Sequence, residues 1–456
     1  ANQTPLIAYF ATCLLHQAGV PRSALQLLPG DGTVGAALTG SARVDGVAFT
    51  GSTQTAKTIR VKMAETLTPG APFIAETGGL NAMIVDSTAL PEQAVASIIE
   101  SAFQSAGQRC SALRCVYIQD DIAPEVIAML IGAMQQLSLG DPWLLSSDLG
   151  PVIDPVAQAR ISKHIAEAAD QNRVLWTQPV PSQGHYIAPT LIQVSGIKAL
   201  EQEVFGPVLH LATFASHQIN AVVEAINDTG YGLTFGLQTR LSNRAKEIAQ
   251  RIKAGNIYVN RNQIGAVVGS QPFGGHGLSG TGPKAGGPFY LGRFRAVGRQ
   301  NSSGAWDQVM SQTALIKIME TAATGVHSPD VLLPGPTGEL NARSTLAKPA
   351  ILCAGPGAHA ADAQAKAVSA LGGVAVKATG QIQAGHLTHL GPLGAVIWWG
   401  DEATARVFDL ALAVRAGPSV ALITGQPDSA HVLLEQHVCI DTTAAGGNAA
   451  LLRGDS

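Results

Sequence analysis

Residues 44–79 read VDGVAFTGSTQTAKTIRVKMAETLTPGAPFIAETGG. Val44 to Phe49 is an apolar run of strand length, Gln54 to Glu65 carries a helical pattern, and Phe73 to Ala75 is a second apolar run closed by glycines. Two strands separated by a helix of that length imply a right-handed crossover and parallel pairing. The same rhythm runs outward in both directions. Upstream lie an amphipathic stretch from Leu6 to Ala18, a strand-like run from Leu25 to Leu28 and a glycine turn. Downstream, helix-like Leu90 to Gly107 and Val156 to Ala169 flank strand-like Ala112 to Ile118. Helix-like Ala221 to Asn227 and Asn243 to Ala254 flank strand-like Thr234 to Gln238.

The composition suits such a fold. At 456 residues with 46% hydrophobic and 13% charged, the chain has material for two or three packed cores. A net charge of −3 leaves no basic field for a phosphate backbone, so nucleic acid is not an expected partner. No apolar run reaches membrane-spanning length. Five widely spaced cysteines without a C-x-x-C pair fit neither a disulfide framework nor a zinc site, so no metal and a reducing, cytoplasmic setting are expected. Between residues 297 and 346, Gln, Ser, Gly, Pro and Thr interrupt the pattern, which reads as a linker with one helix. Beyond it, Ala350 to Cys353, His359 to Leu371, Val374 to Lys377, Ala395 to Trp399, Glu402 to Ala416 and Val420 to Thr424 spell a second α/β unit.

Several short motifs carry possible chemistry. Gly30-Asp31-Gly32-Thr33-Val34-Gly35 matches G-x-G-x-x-G, but no acidic residue follows at the distance a ribose partner needs. Thr50-Gly51-Ser52 lies where a strand passes into a helix, a place where free N–H groups can meet a pyrophosphate. Glu76-Thr77-Gly78-Gly79 puts a carboxylate at a strand terminus beside glycines that permit close approach. In Phe103-Gln104-Ser105-Ala106-Gly107-Gln108-Arg109-Cys110-Ser111 a thiol follows a helix, and the neighbouring Arg109 would favour thiolate. Cys13, Cys115, Cys353 and Cys439 sit in apolar runs and read as inert. Glu203-Val204-Phe205-Gly206-Pro207 and Gln271-Pro272-Phe273-Gly274-Gly275 offer a carboxylate and aromatic rings next to rigid turns. Each motif alone also reads as ordinary capping or packing.

In their order and spacing, over about residues 1–295, these segments resemble the NAD(P)-dependent aldehyde dehydrogenase superfamily, with 34 residues separating Glu76 from Cys110. Gly265 to Gly275, Ser279-Gly280-Thr281 and Lys284 to Pro288 are similar to its glutamate-semialdehyde (1-pyrroline-5-carboxylate) dehydrogenase branch. The stretches Pro334 to Asn341 and Thr442 to Ala449 are similar to the C-terminal domain of the long, bifunctional proline utilization A family.

The resemblance implies an aldehyde dehydrogenase fold divided as follows: a partial Rossmann-like NAD-binding domain over 1–77, a catalytic α/β domain over 78–296, a linker over 297–346 and a non-catalytic Rossmann-like domain over 347–456. It implies a Cys110 nucleophile, a Glu76 general base, and NAD contacts at Thr50, Gly51, Ser52, Gly78, Glu203 and Phe205. Substrate contacts would come from Phe103, Arg109, Ser111, Gly265, Ala266 and Phe273, with Phe103 and Phe273 sandwiching the aliphatic chain. The implied reaction oxidises glutamate semialdehyde within a homo-oligomer whose parent chain carries an FAD-dependent proline dehydrogenase domain. The family's oxyanion Asn and adenosine-ribose Lys would fall before Ala1, and Asn2 stands where a ribose-binding Glu is usual. The sequence is therefore expected to be a piece of a longer protein, weakly active or inactive alone. Three other readings remain open: an aldehyde dehydrogenase for another substrate, a thiol hydrolase pairing Cys110 with a histidine, and a non-catalytic assembly module.

Overall fold

Ser52 caps the helix Thr53–Thr66 by accepting from the Thr55 N–H at 3.1 Å, and the flanking strands Val47–Thr50 and Phe73–Glu76 pair in parallel. The register sets Thr50 opposite Glu76, so the anion-type turn and the carboxylate share one edge. The computed structural model describes residues 2–295, 297–323, 325 and 327–443. Within it the run Leu25 to Leu28 forms no strand, and the helices Pro5–Gln17 and Gly32–Thr39 bury none of their side chains. Asp31 caps the second of these with its own carboxylate, accepting from the Thr33 N–H at 2.9 Å, so the glycine-rich hexapeptide is a capped helix start.

The main sheet runs Val331–Leu333, Glu339–Ala347, Leu433–Asp441, Asn256–Val259, Thr234–Gln238, Ala82–Val85, Cys115–Gln119, Val208–Phe214, Thr190–Gln193, Val174–Trp176. Its centre is parallel and its margins antiparallel. Both faces are covered, which is why the central strands are almost wholly apolar. One cover is the helix Pro91–Phe103, whose Ala94, Val95, Ile98, Ala102 and Phe103 are buried against the sheet. A side chain of Ile or Phe size stabilises by about 1.5–3 kcal/mol when so enclosed.

The region read as a linker holds more than one helix. Besides the helix Gln312–Glu320 it carries the strands Val331–Leu333 and Glu339–Ala347, and the latter pairs along its whole length with Leu433–Asp441. Leu433–Asp441 in turn lies parallel to Asn256–Val259, so a strand from the C-terminal part of the chain extends the main sheet. The other strands of that part form a separate parallel sheet in the order Ala375–Lys377, Ile351–Cys353, Ala395–Ile397, Ala421–Ile423, packed on both faces. Its helix Glu402–Ala413 packs on Thr53–Thr66 through the buried Arg60–Asp409 pair, while Arg406 donates to Ala64 O at 2.8 Å. Of the stretch 442–449, residues 444 onward lie outside the described residues.

Candidate active site

The helix expected to continue to Gly107 stops at Phe103, because Gln104 is extended and Ser105, Ala106 and Gly107 all take positive φ values of 54–65°. Two non-glycine residues in that region mark a held turn, one that delivers Gln108 to Cys110 ahead of the strand Cys115–Gln119. Asn81, just before the strand Ala82–Val85, ties the turn down by donating to Cys110 O at 2.7 Å and Ala112 O at 2.9 Å. The thiol therefore sits at the amino ends of the main-sheet strands. Glu76 approaches from the carboxyl end of its own strand, in the small sheet.

Arg114 organises the turn from beneath. Fully buried, it donates to Gly107 O at 2.7 Å and Arg109 O at 2.9 Å, and its Nε and Nη2 reach Glu203 Oε1 at 3.2 and 2.9 Å. Its guanidinium also lies 5.2 Å from the centre of the Phe205 ring. Burial pushes the Glu203 carboxyl up, against the opposing pull of Arg114. A Cβ on Gly78 would stand 1.8 Å from Glu203 Oε2, so the missing side chain makes the space this carboxylate occupies.

Cys110 is half-buried, and its thiol is pushed up first by burial and then by the negative charges of Glu203 and Glu76. Glu76 Oε2 accepts from the Gly275 N–H at 3.1 Å, while its buried Oε1 has no partner among the described residues. Burial raises the Glu76 carboxyl to about 8, the Gly275 N–H and Lys284 acting the other way. An acid of that strength near a thiol exchanges protons at neutral pH, as a general base must.

The remaining expected residues divide. Gly51 donates to Glu76 O at 3.1 Å, which sets the Thr50-Gly51-Ser52 turn beside Glu76, although the Ser52 hydroxyl is committed to its cap. Arg109 donates to Ser105 Oγ at 3.1 Å, and its Nη1 would be 4.0 Å from a Cβ on Gly265. Ser111 is buried, its carbonyl accepting from Thr234 Oγ1 and Gln263 Nε2. Ala266 and Phe273 are half-buried, and a two-way backbone bridge to Ala285 fixes Phe273. Phe103 departs from its expected place. At 1% exposure it packs in the core with Met83, Ile98 and Leu113, so protein atoms cover its ring and no face is left for a substrate.

Sequence reasoning missed Asn81, Arg114 and Gln263 as members of this site. A charged residue inside an otherwise apolar strand approach, as at Arg114, was the available signal. No group of three or more His, Cys, Asp or Glu side chains is placed to hold a metal among the described residues. No helix among them is long and apolar enough to cross a membrane.

Residues 1–297 match the sequence profile of the aldehyde dehydrogenase family. The chain is similar to the bifunctional protein PutA of Salmonella typhimurium, 40% identical over 99% of this chain and 39% of that protein. It therefore spans well under half the length of that relative. It is also similar to a 1-pyrroline-5-carboxylate dehydrogenase of Geobacillus thermodenitrificans, 36% identical over 64% of this chain and 58% of that one. Among solved structures, a crystal structure of mutant Bradyrhizobium japonicum proline utilization A gives a TM-score of 0.63 at 51% identity, covering 64% of this chain and 30% of that one. A Thermus 1-pyrroline-5-carboxylate dehydrogenase with bound NAD gives 0.60 at 31% identity, covering 64% and 57%.

Proposed function

The chain belongs to the aldehyde dehydrogenase family, and from that membership we propose that it carries out the NAD-dependent oxidation of L-glutamate γ-semialdehyde to L-glutamate, the second step of proline catabolism. The observation that carries the reading is that Glu76, distant in sequence, lies within electrostatic reach of the Cys110 thiol and keeps a buried oxygen without a hydrogen-bond partner among the described residues. A thiol and an unengaged carboxylate at one half-open site are what acyl transfer through sulfur requires.

In this reading the Cys110 thiolate attacks the aldehyde carbon, and the Cys110 backbone N–H faces the oxygen of the resulting thiohemiacetal. When bound, nicotinamide supplies a hydride acceptor. What remains is a thioester on Cys110. Glu76 takes a proton from the attacking water, the C–S bond breaks, and carboxylate and thiol are released. The Glu203 carboxylate lodged against Gly78 and the Phe205 ring backed by Arg114 suit a nicotinamide riboside, and the N–H groups around Ser52 at the start of Thr53–Thr66 suit a pyrophosphate. Ser111 and the Gly265-Ala266 backbone would hold the substrate's α-carboxylate, with Arg109 beside them and Phe273 against the chain; Phe103 has no part in this.

We divide the chain accordingly. The partial NAD-binding unit and the catalytic unit meet at Glu76 and Thr77, and the final Rossmann-like unit is non-catalytic and lends Leu433–Asp441 to the catalytic sheet. The aldehyde would come from an FAD-dependent proline dehydrogenase unit, in a cytoplasmic homo-oligomer. The test is NAD reduction by the intact protein with glutamate semialdehyde, compared with an aldehyde lacking the α-carboxylate. The second should be poorer by about 2 kcal/mol in kcat/KM, roughly thirtyfold. Equal turnover defeats the carboxylate assignment, and activity surviving Cys110→Ala defeats the nucleophile.

A further inference from the structure

The turn from Pro272 to Gly275 is wedged between two ionisable side chains. On one side lies Lys284, 2% exposed, with Nζ 2.6 Å from Asn256 Oδ1, 3.1 Å from Gly274 O and 3.3 Å from Pro272 O. On the other lies Glu76, whose Oε2 accepts from the Gly275 N–H at 3.1 Å. The Gly274 carbonyl and the Gly275 N–H belong to one peptide group. An ammonium thus grips its oxygen end while a carboxylate takes its hydrogen end. A Cβ on Gly274 would fall 3.0 Å from Glu76 Oε1 and 3.1 Å from Lys284 Cα, so a side chain there would press on both residues.

Three acceptors face Nζ and no donor does, an arrangement filled by the three protons of an ammonium and not by the two of a neutral amine. Asn256 completes the grip, since its Nδ2 also donates to Gly274 O at 3.1 Å. We propose that Lys284 is a positioning residue for the Glu76 carboxylate, acting through the single peptide group that joins Gly274 to Gly275. The inference rests on the reading of Glu76 as the general base. A cation on the carbonyl oxygen polarises the peptide and strengthens its N–H bond to a carboxylate. One Glu76 oxygen is thereby held, and Oε1 stays turned toward the reacting water. The positive charge also favours the ionised base in a site where burial opposes it.

The charged neighbours of the pair are few. Glu76 is faced by Lys284 and, across the site, by the Cys110 thiol. Burial lowers the Lys284 ammonium to about 7, against the opposing pull of Glu76 and of Glu435, whose Oε2 accepts from the Lys284 N–H at 3.0 Å, so it is the two carboxylates and the three acceptors around Nζ that hold the charge there. His276 and His437 also lie within its field, and both are held neutral by burial and by Lys284.

In the intact protein Lys284→Met removes the charge at similar length. The acid limb of the kcat profile for aldehyde oxidation is expected to move up by about one pH unit or more, so that kcat measured below the limb falls about tenfold. KM for the aldehyde stays within about twofold, because the substrate never meets Lys284. Lys284→Gln, which keeps a donor for Gly274 O without the charge, carries the same test if the Met variant does not fold. An unmoved limb, with kcat and thermal midpoint falling together, shows that Lys284 only packs and overturns the proposal. A wild-type protein without an acid limb, or turnover surviving Cys110→Ala, defeats the general-base reading first and this proposal with it, and that result is visible before any Lys284 variant is made.

Discussion

The Arg114 guanidinium and the Glu203 carboxylate meet at 2.9 Å directly behind the Cys110 turn, the first side chain 0% and the second 18% exposed. One buried cation thus serves two purposes. Its remaining donors hold the Gly107 and Arg109 carbonyls that shape the approach to the thiol, and its pairing keeps Glu203 in the space left by Gly78. The Cys110 loop and the Glu203 carboxylate are therefore set by the same group.

Arg114→Met is expected to destabilise the protein by about 3 kcal/mol, because it leaves the largely enclosed Glu203 carboxylate and the Gly107 and Arg109 carbonyls without their donor. Arg114→Lys should recover part of this and no more, since a point-like ammonium cannot reach Glu203 and two carbonyls together. Urea midpoints of the three proteins check the order. A Met variant within 1 kcal/mol of wild type would show that Glu203 and the turn find other partners.

The cysteines should divide by access. Cys13 and Cys110 are half-exposed, while Cys115, Cys353 and Cys439 are buried, with burial pushing Cys353 and Cys439 up to about 12. Iodoacetamide at pH 8, followed by peptide mass mapping, is expected to label Cys13 and Cys110 in the folded protein and the other three only in urea. Cys110 should react slowly for an accessible thiol, because burial and then Glu203 and Glu76 oppose its thiolate, and Glu76→Gln should speed its labelling severalfold. Labelling of Cys110 that is unchanged in Glu76→Gln would separate the two groups.

Much of this arrangement was legible in the residues, and the failures share a cause. The strand, helix and strand from Val47 to Glu76 and the parallel C-terminal sheet announce themselves through local apolar periodicity and glycine punctuation. Glu339–Ala347 does not, since its burial alternates only in part and its neighbours are Pro-Gly turns; a partner strand nearly a hundred residues later makes it a strand. The substrate contact at Phe103 is implied by the family resemblance alone, whereas the helix turns its ring to the core beside Ile98 and Ala102. Lys284 lay in a stretch read for its glycines. Its burial shows only once Asn256 and the Pro272–Gly275 turn fold around it.

Gly78→Ala probes the Glu203 space alone. The new Cβ displaces a carboxylate end and no backbone, so the stability cost should stay near about 1–2 kcal/mol. If Glu203 holds the nicotinamide riboside, the NAD dissociation constant rises about tenfold or more, read by quenching of protein fluorescence. Unaltered NAD binding would remove Gly78 and Glu203 from the cofactor site.

Acid should unfold the protein through its buried histidines. His210 is 1% exposed, its Nδ1 donates to Arg114 O at 2.9 Å, and its Nε2 lies 2.9 Å from His164 Nε2. In that network His210 Nε2 accepts from His164, so a second proton on His210 would set two N–H groups against each other. Burial, outweighing the Arg114 carbonyl, lowers the His210 ring to about 4; His276 falls to about 4 and His437 to about 3 for the same first cause. Unfolded, each takes up its proton near pH 6.5, so between about 6.5 and 4 the unfolded chain binds more protons than the folded one. The stability these rings contribute is complete above pH 6.5 and is lost as the pH falls toward 4, by up to about 1.4 kcal/mol per pH unit for each. His210→Gln removes one of the three, so the decline of its urea midpoint between pH 7 and pH 5 should be shallower than that of wild type. Whatever Gln costs at pH 7 cancels in that comparison, and parallel slopes would mean that His210 is protonated in the fold and that its two bonds are arranged differently.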